Sequence, residues 1–152
     1  MARDSSAATW TAGTTEQRRP KAEPALLTVV RTGRHKGFDR AVFVFRDHLP
    51  GYRIEYVGHP VHACGSGKPV ALAGEGRLRV RFDPARAYTQ NGGSTIEDPE
   101  RTPGLPVLKE LEMTCSGFEA DVTWTLGLAD STRYRVRNLT NPPRLVVDMR
   151  HP

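Results

Sequence analysis

The stretch GRHKGFDRAVFVF, Gly33–Phe45, decides the fold class of this chain. Its second half is rich in β-branched and aromatic residues, which suit a pleated, half-buried surface. A second stretch, PPRLVVDMR at Pro142–Arg150, has the same character, and its two prolines prevent a helix from continuing on that side. Both stretches are too short for a convincing helix. We therefore predict that they are two central strands of one antiparallel β-domain.

Alternating segments also lie between these two stretches. The clearest is Phe118–Leu126, in which Phe118, Val122 and Trp124 share one face and are expected in the core. Similar patterns predict strands at Ala25–Arg31, Tyr52–Val57, Arg77–Phe82 and Arg133–Leu139. Val107–Cys115 has a mixed pattern that suits either a helical turn or a strand, and we favour the strand. About eight strands without a helix predict an all-β fold, a sandwich or a barrel.

Two segments lack such a pattern. Residues 1–24 are rich in Ser, Thr, Ala and Gly and contain little apolar surface to bury, so we expect a disordered tail or linker before a domain at residues 25–152. Asp83–Pro106 is a long irregular section, which is typical of either a functional loop or a partly ordered segment.

The charge of the chain limits its partners. The net charge is +5, and 18 of the 22 basic residues are arginines scattered along the sequence. Scattered charge is typical of a solvated surface, so nucleic acid is an unlikely partner, whereas acidic polymers of the cell envelope suit a basic surface. The most localised positive feature is the stripe of Arg77, Arg79 and Arg81.

Three features of the sequence bear on the cellular compartment of the protein. No run approaches the roughly 20 apolar residues of a transmembrane segment. Met1–Pro24 lacks the apolar core of a signal peptide, so we expect either an intracellular protein or a chain from which an export segment has been removed. Cys64 and Cys115 are either a disulfide or two buried thiols; we favour the disulfide, which is typical of exported proteins.

The sequence contains none of the motifs of common catalytic or cofactor sites, including GxSxG, HExxH and a Gly-rich phosphate loop. We therefore predict no enzyme activity and no cofactor. His59 and His62 lie close together, but no carboxylate or second thiolate near them completes a metal site, so no metal is predicted.

Polar residues on the two central strands, and tyrosines on a third, are the candidate site. Asp39-Arg40 and Arg144 with Asp148 are expected to form ion pairs between neighbouring strands, either as a sheet-locking network or as a ligand-facing patch. Tyr52 and Tyr56 share one face of their strand, where they either stack on sugar rings or are half-buried.

The chain resembles the AMIN-like domains of actinobacterial secreted proteins and lipoproteins. The similar pieces are GRHKGFDRAVFVF, PGYRIEYV, GSGKPVALAGEGRLRV, FEADVTWTLGL and NPPRLVVDMRH, which follow one another from about Leu27 to His151. The resemblance implies an antiparallel β-sandwich that is secreted or attached to the cell envelope, and a non-catalytic targeting role next to peptidoglycan.

These observations predict a module that binds peptidoglycan or another wall glycan. The candidate ligand contacts are His35, Phe38, Asp39, Arg40, Tyr52, Tyr56, Arg144 and Asp148. The alternative is an interaction module that docks an envelope protein through the long loop or a sheet edge. A sheet edge also permits a twofold dimer, and the sequence leaves the oligomeric state open.

Overall fold

Thirteen β-strands and no helix make up residues 9–152, the part of the chain that the computed structural model describes. In chain order the strands are β1 (Thr15–Gln17), β2 (Ala25–His35), β3 (Phe38–Arg46), β4 (Gly51–Tyr56), β5 (Val61–His62), β6 (Pro69–Val70), β7 (Gly76–Asp83), β8 (Ala85–Arg86), β9 (Glu100–Arg101), β10 (Leu108–Phe118), β11 (Asp121–Leu128), β12 (Tyr134–Leu139) and β13 (Arg144–Arg150). Eight of these strands have six residues or more. The prediction of about eight substantial strands is confirmed.

The long strands form two sheets that pack face to face. One sheet has six strands in the order β1-β4-β7-β11-β10-β9, and the other has five in the order β12-β13-β3-β2-β8. Neighbours in both sheets are antiparallel, except that β2 and β8 are parallel. The two strands of the opening prediction, β3 and β13, are direct neighbours at the centre of the five-stranded sheet. The antiparallel β-sandwich is confirmed.

Aromatic side chains from both sheets fill the interior. The ring of Phe43 lies 5.3 Å from that of Phe82 and 6.0 Å from that of Trp124, and Phe45 lies 4.8 Å from Phe82. All four side chains are buried. Each such burial stabilises the fold by about 1.5–3 kcal/mol, so the alternation of β3 and β11 determines which side chains form the core.

The prediction that Phe118 joins this core is wrong. Strand β10 continues to Phe118, and a two-residue turn at Glu119 and Ala120, both with positive φ, reverses the chain before β11 begins at Asp121. Phe118 is 58% exposed. Phe118 is paired with Asp121 across this turn and shares its face, so odd and even positions exchange faces at the reversal. The apolar alternation of the sequence continues through the turn and does not reveal this exchange.

The prediction of a disordered tail over residues 1–24 is wrong for the part that the structure describes; residues 1–8 lie outside it. Thr11 pairs with Tyr134 at the edge of the five-stranded sheet, and β1 pairs with β4 at the edge of the six-stranded sheet. The hydroxyl of Tyr134 lies within hydrogen-bond distance of the carbonyls of Gly13 and Ile54, which share its single proton. Residues 9–17, which we call the N-terminal strap, therefore join both sheets. The edge strands of a sheet have unpaired backbone N–H and C=O groups, which form hydrogen bonds with the backbone of such a segment. This pairing does not require apolar side chains.

The section Asp83–Pro106 is ordered in large part, as one of the two alternatives predicted. The Thr95 hydroxyl donates to the Leu27 carbonyl at 2.6 Å, and the Arg101 guanidinium donates to the Val30 carbonyl. The side chain of Ile96 is buried in the core. This section therefore lies against β2 and closes one side of the sandwich.

The predicted disulfide is confirmed. Cys64 and Cys115 are bonded, with their Cα atoms 5.2 Å apart. The Cys64 amide also donates to the Thr114 carbonyl at 2.9 Å. The bond holds the small β5–β6 hairpin and its flanking loops against the six-stranded sheet.

Candidate ligand-binding site

The eight residues predicted as ligand contacts do not form one site. Four lie together on the outer face of the five-stranded sheet near the β2–β3 turn: His35, Phe38, Arg40 and Asp148. The other four lie elsewhere in the sandwich: Asp39, Tyr52, Tyr56 and Arg144.

Asp148 is the centre of the first group. Strand register places it opposite Arg40 on one neighbouring strand and Arg135 on the other. Arg40 donates to both carboxylate oxygens at 2.7 and 3.2 Å, and Arg135 Nε donates at 2.9 Å. The Asp148 side chain is only 1% exposed. Two charge-assisted partners compensate the desolvation of this carboxylate and lock three strands in register.

Aromatic rings and guanidinium groups alternate beside this ion core. The rings of His35 and Phe38 are stacked, with centroids 5.0 Å apart. The Arg135 guanidinium carbon lies 4.9 Å from the centroid of Phe38 and 4.4 Å from that of Trp10, and that of Arg150 lies 5.7 Å from Trp10. Each cation–π contact contributes about 0.5–1 kcal/mol at such a site.

We call this set the aromatic–arginine cluster; it consists of Trp10, His35, Phe38, Arg40, Arg135, Asp148 and Arg150. It has three guanidinium groups and one carboxylate, so it keeps an excess of positive charge. The half-buried rings of Trp10 and Phe38 keep part of their apolar surface exposed, and the arginines keep donors that Asp148 does not use. Together these groups suit a ligand that carries both carboxylates and sugar-like CH surfaces.

Sequence reasoning missed three members of the cluster. Arg135 and Arg150 alternate outward on their strands, but only register shows that Arg135 faces Asp148. Trp10 is the one large apolar residue of a polar segment, and that isolation was its only signal. Its position follows from the pairing of Thr11 with Tyr134.

Asp39 is a correction, because its side chain points into the sandwich and not onto the surface. It is fully buried and accepts hydrogen bonds from the amides of Val107 and Leu108 at 2.6 and 2.9 Å. His151 Nε2 lies 2.8 Å from its other oxygen. Asp39 therefore ties β3 to the start of β10 in the opposite sheet, and a surface ligand does not reach it.

Tyr52 and Tyr56 are also corrections, because both face the interior. Tyr52 is buried in the core, and its hydroxyl donates to Asn138 at 3.0 Å. The hydroxyl of Tyr56 donates to the Thr132 carbonyl, and its ring meets that of Tyr134 edge-on. Burial raises the pKa of the Tyr56 hydroxyl well above its ordinary value. The two tyrosines join the sheets and are not an open surface for sugar rings.

The structure contains the predicted ion pair between strands β3 and β13 for Arg40 and Asp148, but Arg144 takes no part in it. The Arg144 guanidinium donates to the carbonyls of Thr140 and Pro142, both at 2.9 Å. It closes the β12–β13 turn at the opposite end of the strand. Both acidic residues of the predicted network are out of its reach, since Asp148 lies four residues along the same strand, about 13 Å away, and Asp39 points into the sandwich.

The outer face of the six-stranded sheet is neutralised despite its stripe of arginines. Arg77 is buried and donates to backbone carbonyls. Arg79 pairs with Glu55, and Arg81 pairs with Asp121 at 2.6 Å. A hydrogen bond from Arg53, followed by the pairing with Arg79, holds the pKa of Glu55 below its ordinary value. The most localised positive feature of the sequence is thus not a positive surface.

A cleft of about 400 Å³ lies on this same face, beside the disulfide and the β5–β6 hairpin. Its floor carries hydroxyl groups that are already satisfied within the protein. Thr114 and Thr125 share a hydrogen bond of 3.1 Å, and Thr123 donates to Asp121 at 2.6 Å. The cleft therefore offers fewer free polar groups than the aromatic–arginine cluster.

Two further features of residues 9–152 bear on function. No three His, Cys, Asp or Glu side chains in this range converge as ligands for a metal ion. Nor does the range contain a helix with the length and apolar character that crossing a bilayer requires.

Comparison with known protein families shows the family to which the chain belongs. The family model for the AMIN-like domain matches residues 25–151. The chain belongs to the AMIN-like domain family. AMIN-like domains are generally non-catalytic modules associated with the cell envelope, and no catalytic family is indicated for this one. The match and the Cys64–Cys115 disulfide are both consistent with an extracytoplasmic location.

No curated protein and no solved structure matched this AMIN-like domain. The family match begins at residue 25, after the N-terminal strap. Trp10 is therefore a member of the aromatic–arginine cluster that lies outside the matched residues.

Proposed function

We propose that this AMIN-like domain is a non-catalytic module of the cell envelope that binds peptidoglycan through its aromatic–arginine cluster. Arginine donors that Asp148 leaves unused would bind the carboxylates of the stem peptides. The rings of Trp10 and Phe38 would contact the apolar faces of the sugars. A secreted or envelope-attached location follows from this proposal and suits a protein whose fold contains a disulfide.

The observation that carries the proposal is the position of Arg135. Its guanidinium donates to the buried Asp148 at 2.9 Å and contacts both Trp10 and Phe38, whose ring centroids are themselves 6.3 Å apart. The buried carboxylate fixes the guanidinium, and the guanidinium orients the two rings. A ligand then meets a preorganised surface and loses less free energy to the ordering of side chains.

The test is sedimentation of the full chain with peptidoglycan sacculi from which attached anionic polymers have been removed. The double variant Trp10→Ala/Phe38→Ala removes both rings and leaves the Arg40–Asp148–Arg135 ion core. We expect its affinity to fall at least about fivefold, since each of the two lost aromatic contacts is worth about 0.5–1.5 kcal/mol. Wild-type binding should persist at moderate salt, because the rings contribute a term that salt does not screen.

The matched control is Tyr88→Ala/Phe118→Ala, which removes two exposed rings elsewhere on the molecule. It should bind sacculi like the wild type. Unchanged binding by Trp10→Ala/Phe38→Ala, with an unchanged melting temperature, overturns the proposed site. A wild-type chain that ignores sacculi but captures an envelope protein supports the interaction module instead.

A further inference from the structure

Strand β12 is the last strand of the five-stranded sheet, and most of its outer edge pairs with no strand of residues 9–152. Thr11 exchanges two backbone hydrogen bonds with Tyr134, at 2.8 and 2.9 Å, on the side of β12 that faces away from β13. In an antiparallel ladder, the N–H and C=O groups of every second residue point to the same side. Val136 and Asn138 therefore point theirs to this side too, where they have no backbone partner within the described residues.

The N-terminal strap shows how a segment adds to this edge. Thr11 lies antiparallel to β12, as an added strand would. The strap does not continue along the edge, since Thr9, the next residue in register, forms no bridge with Val136. Asn138 is exposed and Val136 is half-buried. A strand that continued the line of Thr11 would therefore reach the N–H and C=O groups of both residues.

A groove of about 360 Å³ lies beside this edge. Its walls belong to β12 and β1, which are the last strands of the two sheets. Tyr52 also lines the groove, and its hydroxyl joins the sheets there by donating to Asn138 at 3.0 Å. An extended polypeptide suits such a groove, because its backbone can pair with β12 while its side chains point alternately into the groove and away from it.

Charge argues against a second copy of this chain as the occupant. An edge-to-edge pair that uses both Val136 and Asn138 of each copy is centred on Arg137. Each Arg137 would then lie directly opposite its counterpart, and like charges in that position destabilise a sheet.

The same position favours an acidic residue. No carboxylate oxygen of residues 9–152 lies within 4.0 Å of the guanidinium nitrogens of Arg137. A carboxylate on an added strand, directly opposite Arg137, would form a cross-strand pair of opposite charges. The charge of this edge therefore distinguishes an acidic segment from a basic one.

We propose that the edge of β12 from Val136 to Leu139 binds an extended acidic segment of a partner protein as an added antiparallel strand. The backbone of the segment bonds to Val136 and Asn138, and one of its carboxylates lies opposite Arg137. Main-chain pairing supplies the affinity, and Arg137 selects acidic segments. The site uses no residue of the aromatic–arginine cluster, and the inference does not depend on peptidoglycan binding.

Hydrogen exchange, followed by NMR on the full chain, tests the edge without any substitution. The probe is an acetylated and amidated peptide, Thr-Glu-Val-Glu-Val-Glu-Thr. Before it is added, the amides of Val136 and Asn138 should exchange quickly, whereas those of Arg135 and Arg137, which face β13, should exchange slowly. Saturating peptide should slow exchange of the Val136 and Asn138 amides at least about tenfold.

Two substitutions at Val136 test the backbone pairing. Val136→Pro removes one donor from the edge and is compatible with the sheet, because that N–H points away from β13. We expect its affinity for the peptide to fall about fivefold, since one hydrogen bond is lost. The matched change Val136→Thr keeps the N–H and the branched side chain, so it should bind at least about threefold more tightly than Val136→Pro. Melting temperatures of both variants distinguish loss of pairing from loss of fold.

A second pair of variants tests the charge. Arg137→Gln should weaken peptide binding about threefold, because the cross-strand pair of opposite charges is lost. The matched control Arg31→Gln removes an arginine from the same face at the far side of the sheet, where register places it three strands from Arg137. It should bind the peptide like the wild type. A peptide with Lys in place of each Glu should bind at least about fivefold more weakly.

Four results overturn the proposal. Slow exchange of the Val136 and Asn138 amides in the free chain shows that another part of this chain or a second copy already covers the edge. Unchanged exchange with the peptide at millimolar concentration shows that the edge does not accept a strand. Equal affinity of folded Val136→Pro and Val136→Thr excludes main-chain pairing. Equal loss in Arg137→Gln and Arg31→Gln, or equal binding of the Glu and Lys peptides, excludes selection by Arg137.

Discussion

Asp148 and Glu55 are each held by two arginines, but they lie on opposite outer faces of the sandwich and in different surroundings. Asp148 lies between Arg40 and Arg135, and its side chain is 1% exposed. Glu55 lies between Arg53 and Arg79, and its side chain is 17% exposed. The carboxylate of Asp148 is buried, whereas that of Glu55 is partly accessible to solvent.

The difference shows how the same residue pattern produces two kinds of surface. On the six-stranded sheet, outward arginines are matched by nearby carboxylates, including Glu55 and Asp121. On the five-stranded sheet, one buried carboxylate serves two arginines, and others have no acidic partner within the described residues. The first surface is balanced within the protein, and the second keeps charge available for a ligand.

The largest expected effect concerns the disulfide, which belongs to the balanced face. In the double variant Cys64→Ser/Cys115→Ser we expect a loss of about 4 kcal/mol, because the bond closes a loop with a sequence separation of 51 residues. Urea denaturation measures it. Binding to the opposite face should be unaffected under conditions where the variant is folded. A loss below about 1 kcal/mol contradicts the view that this face depends on the bond.

The next prediction compares the loss of stability when each of the two carboxylates, Asp148 and Glu55, is neutralised. The variant Asp148→Asn should lose about 3 kcal/mol at neutral pH, since it leaves two partly buried guanidinium groups without their anion. The matched change, Glu55→Gln, should cost at most about 1 kcal/mol, because its arginines are better solvated. Equal losses in urea denaturation would show that depth of burial does not distinguish the two sites.

The Glu55→Gln control also has a predicted pH dependence. The pKa of Glu55 is lowered in the folded protein, so the unfolded chain binds its proton more readily. The stabilisation is therefore complete above the unfolded value, near pH 4.3, and is lost as pH falls through the folded value. The difference between the variant and the wild type should shrink on acidification.

The smallest expected effect on stability concerns Glu112, which lies near one edge of the six-stranded sheet. Glu112 lies opposite Glu100, and burial, with the charges of Glu100 and Glu110, raises its pKa. The folded protein then holds this proton more tightly than the unfolded chain, so stability falls as pH rises through this range. We expect Glu112→Gln to add about 0.5 kcal/mol at pH 7.

The pH dependence of the stability gained in Glu112→Gln tests this explanation. Urea denaturation should show it disappearing below about pH 4, where the wild-type carboxylate is protonated in both states. The control Glu110→Gln removes a carboxylate that accepts a hydrogen bond from the Ala73 amide at 2.8 Å, and it should not stabilise the protein. Stabilisation by both changes would point to general reduction of negative charge.

The sequence predicted contacts best where they depend on central strands. The alternation of β3 and β13 placed Arg40 and Asp148 outward on strands that were expected to be neighbours, and the pair exists at 2.7 Å. The same logic failed for Arg144, which shares its strand and face with Asp148 but lies too far along it. Periodicity gives the face of a residue and leaves its partner undetermined.

Tyr52 shows that alternation alone does not tell which face of a strand is buried. Its alternation with Arg53 was correctly recognised, but the open face was assigned to the wrong residues. The tyrosines face the core, and Arg53 faces water. Amphipathic side chains such as tyrosine suit either face, so composition does not decide between them. The hydrogen bond from Tyr52 to Asn138, 86 residues away in sequence, is what decides it.

By itself, the sequence determined the fold class, the central strands, the core position of Trp124 and the residues of the disulfide. These follow from period-two alternation and from residue type, which are local properties of a chain. Only the tertiary structure decided which arginines have an acidic partner, that Asp39 lies inside the sandwich, and that Trp10 stacks on Arg135. Those outcomes depend on register between strands that are distant in sequence, and register arises only when the whole sheet has formed.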